Sequence, residues 1–200
     1  MIRSTLKTVY TKLIVIPIHL VVFFVKKNWK RCYEIWTMQS GYHNLPVING
    51  TDQKAGAKYK ARNSSFKANR NSVFFSTDIV GAYPDEAKVK NWIRSYTLNR
   101  GKSFVIQDSY ELMEVTDKPV SSNFITYCKV SEVKPGLLRL EGEGFSLNMT
   151  YDPNQVKPEI EFIEINDNIL KRYWPDGITR IIMTFVNPKP KGSISFTFAK

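Results

Sequence analysis

Tyr42, His43 and Asn44, followed by Asn49-Gly50 and Gln53, bring a phenol, an imidazole, three amides and a glycine turn into one short segment of the chain. An imidazole exchanges protons near neutral pH, and amides donate and accept hydrogen bonds at once, which suits ligands rich in hydroxyls. Further on, Trp92 and Arg94 stand two residues apart and so share one face of any extended strand. A guanidinium there could stack on the indole or meet a carboxylate in a bidentate pair. Tyr83 and Trp174 could stack on sugar rings, although aromatic side chains in a β protein more often belong to its core. Lys54, Lys58, Lys60, Arg62, Lys67 and Arg70 succeed one another without an acidic residue between them. Such a stretch could attract an anionic polymer, and a solvated loop is its plainer account.

Metal chemistry has little to build on. His19 and His43 are the only histidines, and a zinc site takes about four nitrogen, sulfur or oxygen ligands. Cys32 and Cys128 lie far apart, with neither metal-ligand spacing nor the density of a disulfide framework. The plainer reading of His43 is a hydrogen-bonded histidine at the edge of a sandwich beside Asn44. Asn49-Gly50 is first a hairpin turn, whose geometry favours positive φ at both positions.

The elements that would position these groups are strands. Residues 72–79, 89–98, 103–115, 123–130, 137–140, 145–151, 159–165, 178–186 and 193–198 are rich in β-branched and aromatic residues. In 104–112 the polar Gln107, Ser109 and Glu111 alternate with Tyr110 and Leu112, a period of two in which Asp108 is the exception. Tyr83-Pro84-Asp85, Arg100-Gly101, Lys134-Pro135-Gly136, Asp152-Pro153-Asn154 and Pro175-Asp176-Gly177 supply turns between the runs. The pattern predicts an all-β fold, an antiparallel β-sandwich of roughly 9–12 strands over residues 32–200.

Residues 1–31 differ in character. Seven cations, Arg3, Lys7, Lys12, Lys26, Lys27, Lys30 and Arg31, precede the first acidic residue, Glu34, which leaves 22 basic against 18 acidic residues in the remainder. The formal charge of +11 is therefore mostly local to the N-terminus. That distribution, with no aromatic and basic recognition motif, argues against nucleic acid as a partner. The apolar run 13–25, LIVIPIHLVVFFV, is shorter than the about 20 residues of a spanning helix. The Lys26-Lys27-Asn28-Trp29-Lys30-Arg31 that follows offers no small-residue cleavage site. A helical segment is expected, and three readings stay open: an altered start to the reading frame, a short anchor or interfacial helix touching the membrane surface through residues 13–31, and a helix packed on the sandwich.

The order of motifs in IWTMQSGYHNLPVINGTDQKAG (35–56), DIVGAYPDEAKVKNWIR (78–94) and NRGKSFVIQDSYEL (99–112) resembles the C-terminal β-sandwich of the heparinase II/III-like polysaccharide lyases. The resemblance spans residues 31–186. In that family a His-Asn pair precedes a short strand, a glycine turn and a glutamine. The resemblance implies an acidic polysaccharide as partner, a bacterial periplasm or cell envelope as location, and His43, Asn44, Gln53 and Arg94 as substrate-binding residues. It implies β-elimination on uronic-acid-containing polymers of the heparin or heparan sulfate kind. The family's catalytic base lies in a helical toroid, so none of the matched residues is catalytic. Without that toroid the chain is expected to be a truncated lyase, inactive alone, its toroid supplied by a separate partner if at all. No cofactor is expected. A structural zinc occurs in the family, and His43 would join one only with ligands this chain lacks. A noncatalytic carbohydrate-binding or envelope-tethered scaffold module is the alternative, and a nonfunctional gene fragment a third reading.

Overall fold

The computed structural model describes residues 35–200, so the expectations for residues 1–31 fall outside the described residues. The nine β-patterned runs supply ten strands, and two strands that the pattern did not mark bring the described residues to twelve, all paired antiparallel. In chain order they are β1 (Pro46–Val47), β2 (Arg62–Ala68), β3 (Ser72–Asp78), β4 (Val89–Asn99), β5 (Ser103–Leu112) and β6 (Ser121–Thr126). The second half holds β7 (Lys129–Lys134), β8 (Leu137–Gly142), β9 (Phe145–Thr150), β10 (Val156–Ile163), β11 (Ile178–Phe185) and β12 (Lys191–Ala199). They form a four-stranded sheet, β1-β6-β11-β10, packed on an eight-stranded one, β2-β3-β4-β5-β12-β9-β8-β7.

The expected sandwich is therefore present, at the upper end of the expected strand number. The residues between the layers explain why. On β5 the even positions Ile106, Asp108, Tyr110 and Leu112 are buried while Gln107 faces water, the alternation a half-buried strand requires. Across the layers Phe124 of β6 meets Phe196 of β12 edge to face, with ring centroids 5.0 Å apart. Fully burying each such ring contributes roughly 1.5–3 kcal/mol. β6 is buried along its whole length. Phe124 points into the sandwich, whereas Ile125 joins a second cluster on the opposite side with Ile165, Ile178, Trp36 and Trp174. Residues 35–45 thus close over the outer face of the small sheet.

Two sequence expectations are corrected. Residues 123–130 do not form one strand, because the Cys128 amide bonds the Thr126 hydroxyl at 3.1 Å and turns the chain. There it leaves β6 in the small sheet and starts β7 in the large one. The basic stretch is not only a loop: its second half is β2, paired to β3 and exposed on both faces. Its seven residues carry little apolar pattern, so pairing with β3 rather than burial places them in the sheet. The large sheet is wider than the small one, and β2 lies beyond the covered area, with Phe66 67% exposed.

Candidate functional site

The segment 35–53 is tied to the sandwich by short-range polar contacts. His43 Nε2 donates to the Thr37 carbonyl at 3.0 Å, which leaves Nδ1 as the acceptor of the neutral ring. Burial holds its pKa below the ordinary value of 6.5, opposed by the Thr37 bond and by the negative charge of Asp52. Asp52 accepts from the Ser40 hydroxyl at 3.1 Å, and that hydroxyl accepts the Gln53 amide at 2.8 Å. The Gln53 side chain bonds Tyr83, whose hydroxyl donates to the Pro46 carbonyl at 2.6 Å. Tyr83 is buried, and burial raises its pKa. It is a core residue rather than a sugar platform.

Asn44 reaches both layers. Its Oδ1 accepts the Ile125 amide at 2.6 Å, extending the edge of β6, and its carbonyl accepts Arg94 Nη1 at 2.6 Å. The rest of the guanidinium faces Asp108, with Nε 2.7 Å from Oδ1 and Nη2 2.5 Å from Oδ2. Trp92 Nε1 donates to the same carboxylate at 2.9 Å, and the Ser122 hydroxyl does so at 2.6 Å. Arg94 is 1% exposed and Asp108 fully buried. Burial alone would lower the pKa of Arg94, and the adjacent carboxylate more than offsets it, so the guanidinium stays charged.

The expectation that Arg94 meets a uronate gives way here, since the guanidinium is enclosed and satisfied within the protein. Trp92 and Arg94 do share a face, as the period of two predicts, yet Asp108 joins them by hydrogen bonds in place of a stack. Trp174 is half-buried against the outer cluster. The structure therefore brings Asn44 and Arg94 into contact and links Gln53 to Tyr83, and each link fastens the entering segment to the sandwich. Asp108 is the member that sequence reasoning passed over. Its signal was the break in the alternation of β5, a carboxylate on the apolar phase, opposite Arg94 on β4.

Asn49-Gly50 adopts the expected turn, with φ of 49° and 66°. Asn49 is also buried, and its Nδ2 donates to the carbonyls of Ala87 and Glu114. Among the described residues no group of three or more His, Cys, Asp or Glu side chains is placed to hold a metal ion.

Cations are what the surface offers. Lys54, Lys58, Lys60, Arg62, Lys67 and Arg70 are all exposed, and only Arg62 is ion-paired among the described residues, to Asp78 at 3.1 Å. The loop preceding β2 is pinned by the Lys54 amide on Ala82 and the Lys60 amide on Gly81. Gly81 has to be small, because a Cβ there would lie 2.6 Å from the Lys60 carbonyl oxygen. Tyr59 lies beneath the ammoniums of Lys58 and Lys54, at 5.0 and 5.8 Å from its ring centre.

No protein-family model matches the chain, and no curated protein does. Solved structures do resemble it. A mutant of heparan sulfate lyase HepC from Pedobacter heparinus superposes with a TM-score of 0.62 at 11% identity, over 86% of this chain and 26% of that one. HepC itself gives 0.60 at 13% identity over 82% and 25%. A heparinase III gene product gives 0.56 at 11% over 82% and 24%. The chain spans about a quarter of the length of the lyase structures it matches, and at these identities the likeness is one of fold.

Proposed function

We propose that the chain is the β-sandwich part of a polysaccharide lyase for uronic-acid-containing polymers, and that its share of the work is to hold the acidic chain. The observation that carries this reading is the acid-free run of exposed cations on β2 and its leading loop. Positive groups at that density attract a polyanion whatever its sequence, and the fold likeness to heparan sulfate lyases supports a uronate-rich one. β-Elimination needs a base beside C5 of a uronate and a group that neutralises the carboxylate, within hydrogen-bond reach of each other. Those roles belong, in this proposal, to a catalytic domain on the same or a separate polypeptide. His43 and Gln53, half-buried beside Asn44, contribute to a wall of the cleft, while Arg94 holds that wall in place. A periplasmic or envelope setting belongs to the same proposal.

A noncatalytic glycan-binding module is the second reading, and the same cations favour it. Both are tested by chromatography on immobilised heparan sulfate, with a neutral glucan column as control. Retention that falls with salt, and falls further in a Lys54→Ala/Lys58→Ala/Lys60→Ala variant, is the expected result. Passage through the column unretained at low salt would overturn both. Ultraviolet absorbance of unsaturated uronates, followed with heparan sulfate, then separates them: formation of the chromophore by the chain with an added catalytic domain supports the lyase part, and its absence leaves the binding module.

A further inference from the structure

At one end of the sandwich the turn between β11 and β12 and the loop before β10 enclose a groove of about 410 Å³. We propose that this groove is a saccharide site that takes an acidic sugar unit, on residues separate from the β2 cations. The inference shares its ligand class with the function proposed above, and rests on that reading to this extent.

The floor is aromatic. Tyr110 of β5 and Phe185 of β11 lie with ring centroids 5.6 Å apart, and both border the groove. Tyr110 is 8% exposed. Its hydroxyl has no hydrogen-bond partner among the described residues, and the residue borders the groove. With one ring face stacked on Trp92 at 5.2 Å and Phe185 packed against it, Tyr110 brings a hydroxyl to the Gly192 side of the groove rather than an open ring face.

Gly192 keeps that floor in place. It pairs with Tyr110 across the β5/β12 ladder, and a Cβ at this position would stand 2.6 Å from the Tyr110 hydroxyl and 2.8 Å from Cζ. A larger residue would displace the ring.

The rim is polar and positively charged. Asn154, Asn187, Ser193, Lys189 and Lys191 line it, and no acidic residue does. Lys191 shares the single carboxylate of Glu111 with Lys90, at 3.3 and 3.0 Å. Lys189 has no ion pair among the described residues. The site thus joins a small aromatic floor, amides that donate and accept, and ammonium groups in excess over carboxylates. Neutral sugars would use the first two features, and only an acidic one uses the third. The volume falls in the range of a small-ligand cleft.

Isothermal titration of the full chain with a heparan sulfate hexasaccharide and with cellohexaose tests the assignment, using Lys189→Glu/Asn187→Gly. Both positions are exposed, and glycine suits the φ of 47° at Asn187, so the fold survives, as circular dichroism checks. The double variant is expected to bind the acidic hexasaccharide about tenfold more weakly, the loss of one charge-assisted hydrogen bond or more. Amide resonances of residues 110, 187 and 193 are expected to shift on titration of the wild-type chain. Equal affinity in wild type and double variant would overturn the proposal, as would equal affinity for cellohexaose. If the Lys54/Lys58/Lys60 variant loses binding while the groove variant keeps it, the groove assignment falls and the proposed function stands. If the wild-type chain binds no acidic hexasaccharide, both fall.

Discussion

Arg94 and Asp108 face each other across β4 and β5 as a bidentate pair with 1% and 0% side-chain exposure, and the same guanidinium holds the Asn44 carbonyl of the entering segment. Ser122 of the other sheet bonds both partners, at 3.0 Å to Nη2 and 2.6 Å to Oδ2. One ion pair therefore fixes three parts of the molecule: the large sheet, the small sheet and the chain that crosses over it.

Removing one partner leaves the other charged and enclosed. Asp108→Asn is expected to cost about 3–5 kcal/mol of unfolding free energy, measured from the urea midpoint. Arg94→Met with Asp108→Leu should cost much less than the sum of the single changes, because neither charge is then stranded. Additive losses would show that the two residues act independently.

The turn at Asn49 separates backbone strain from hydrogen bonding. Asn49→Gly keeps a residue that accepts positive φ and removes the two bonds to Ala87 and Glu114. Asn49→Ala removes those bonds and adds the left-handed penalty of roughly 1–2 kcal/mol. Alanine should therefore be the more destabilising of the two by about that amount in thermal or urea unfolding. Equal losses would mean that the turn relaxes to negative φ.

His43 sets a pH dependence whose sign follows from its lowered pKa. The folded protein holds that proton less tightly than the unfolded chain, whose histidine titrates near the ordinary 6.5. Its contribution is thus complete above that pH, and stability falls as the pH drops below it and through the folded value. His43→Gln should flatten the decline in that window. Unfolding curves for the two proteins that run parallel from pH 7 to pH 5 would contradict the assignment.

The period of two, the turn residues and the aromatic content make the sandwich legible in the sequence, because each reports on local backbone and on burial. The role of Arg94 was not legible. Its strand face was readable, but whether that face looks to a ligand or to the core depends on Asp108 fourteen residues on and on Ser122 in another sheet. Likewise Asn44 and Gln53 carry amides that suit a sugar, and the fold uses them on the Ile125 amide and on Tyr83. β2 was hidden for a different reason: an edge strand exposed on both faces has no apolar alternation to betray it.

That exposure makes β2 the place where the sheet is open to a second chain. β2 and β7 are the two edges of the large sheet, and each carries lysine, Lys67 on one and Lys129 and Lys134 on the other. Charged side chains on an edge oppose pairing with another copy. The bulge between Arg62 and Ser65, with Asn63 at φ 53°, adds local twist that works in the same direction. Phe66 at 67% exposure is what a second strand would cover. Lys67→Val should leave unfolding free energy within about 0.5 kcal/mol, as for other exposed positions, and yet raise light scattering at a given protein concentration. Lys129→Val should do so less, because β7 retains Lys134 and Glu132. Scattering indistinguishable from wild type in both variants would place the protection in the bulge rather than in the charge.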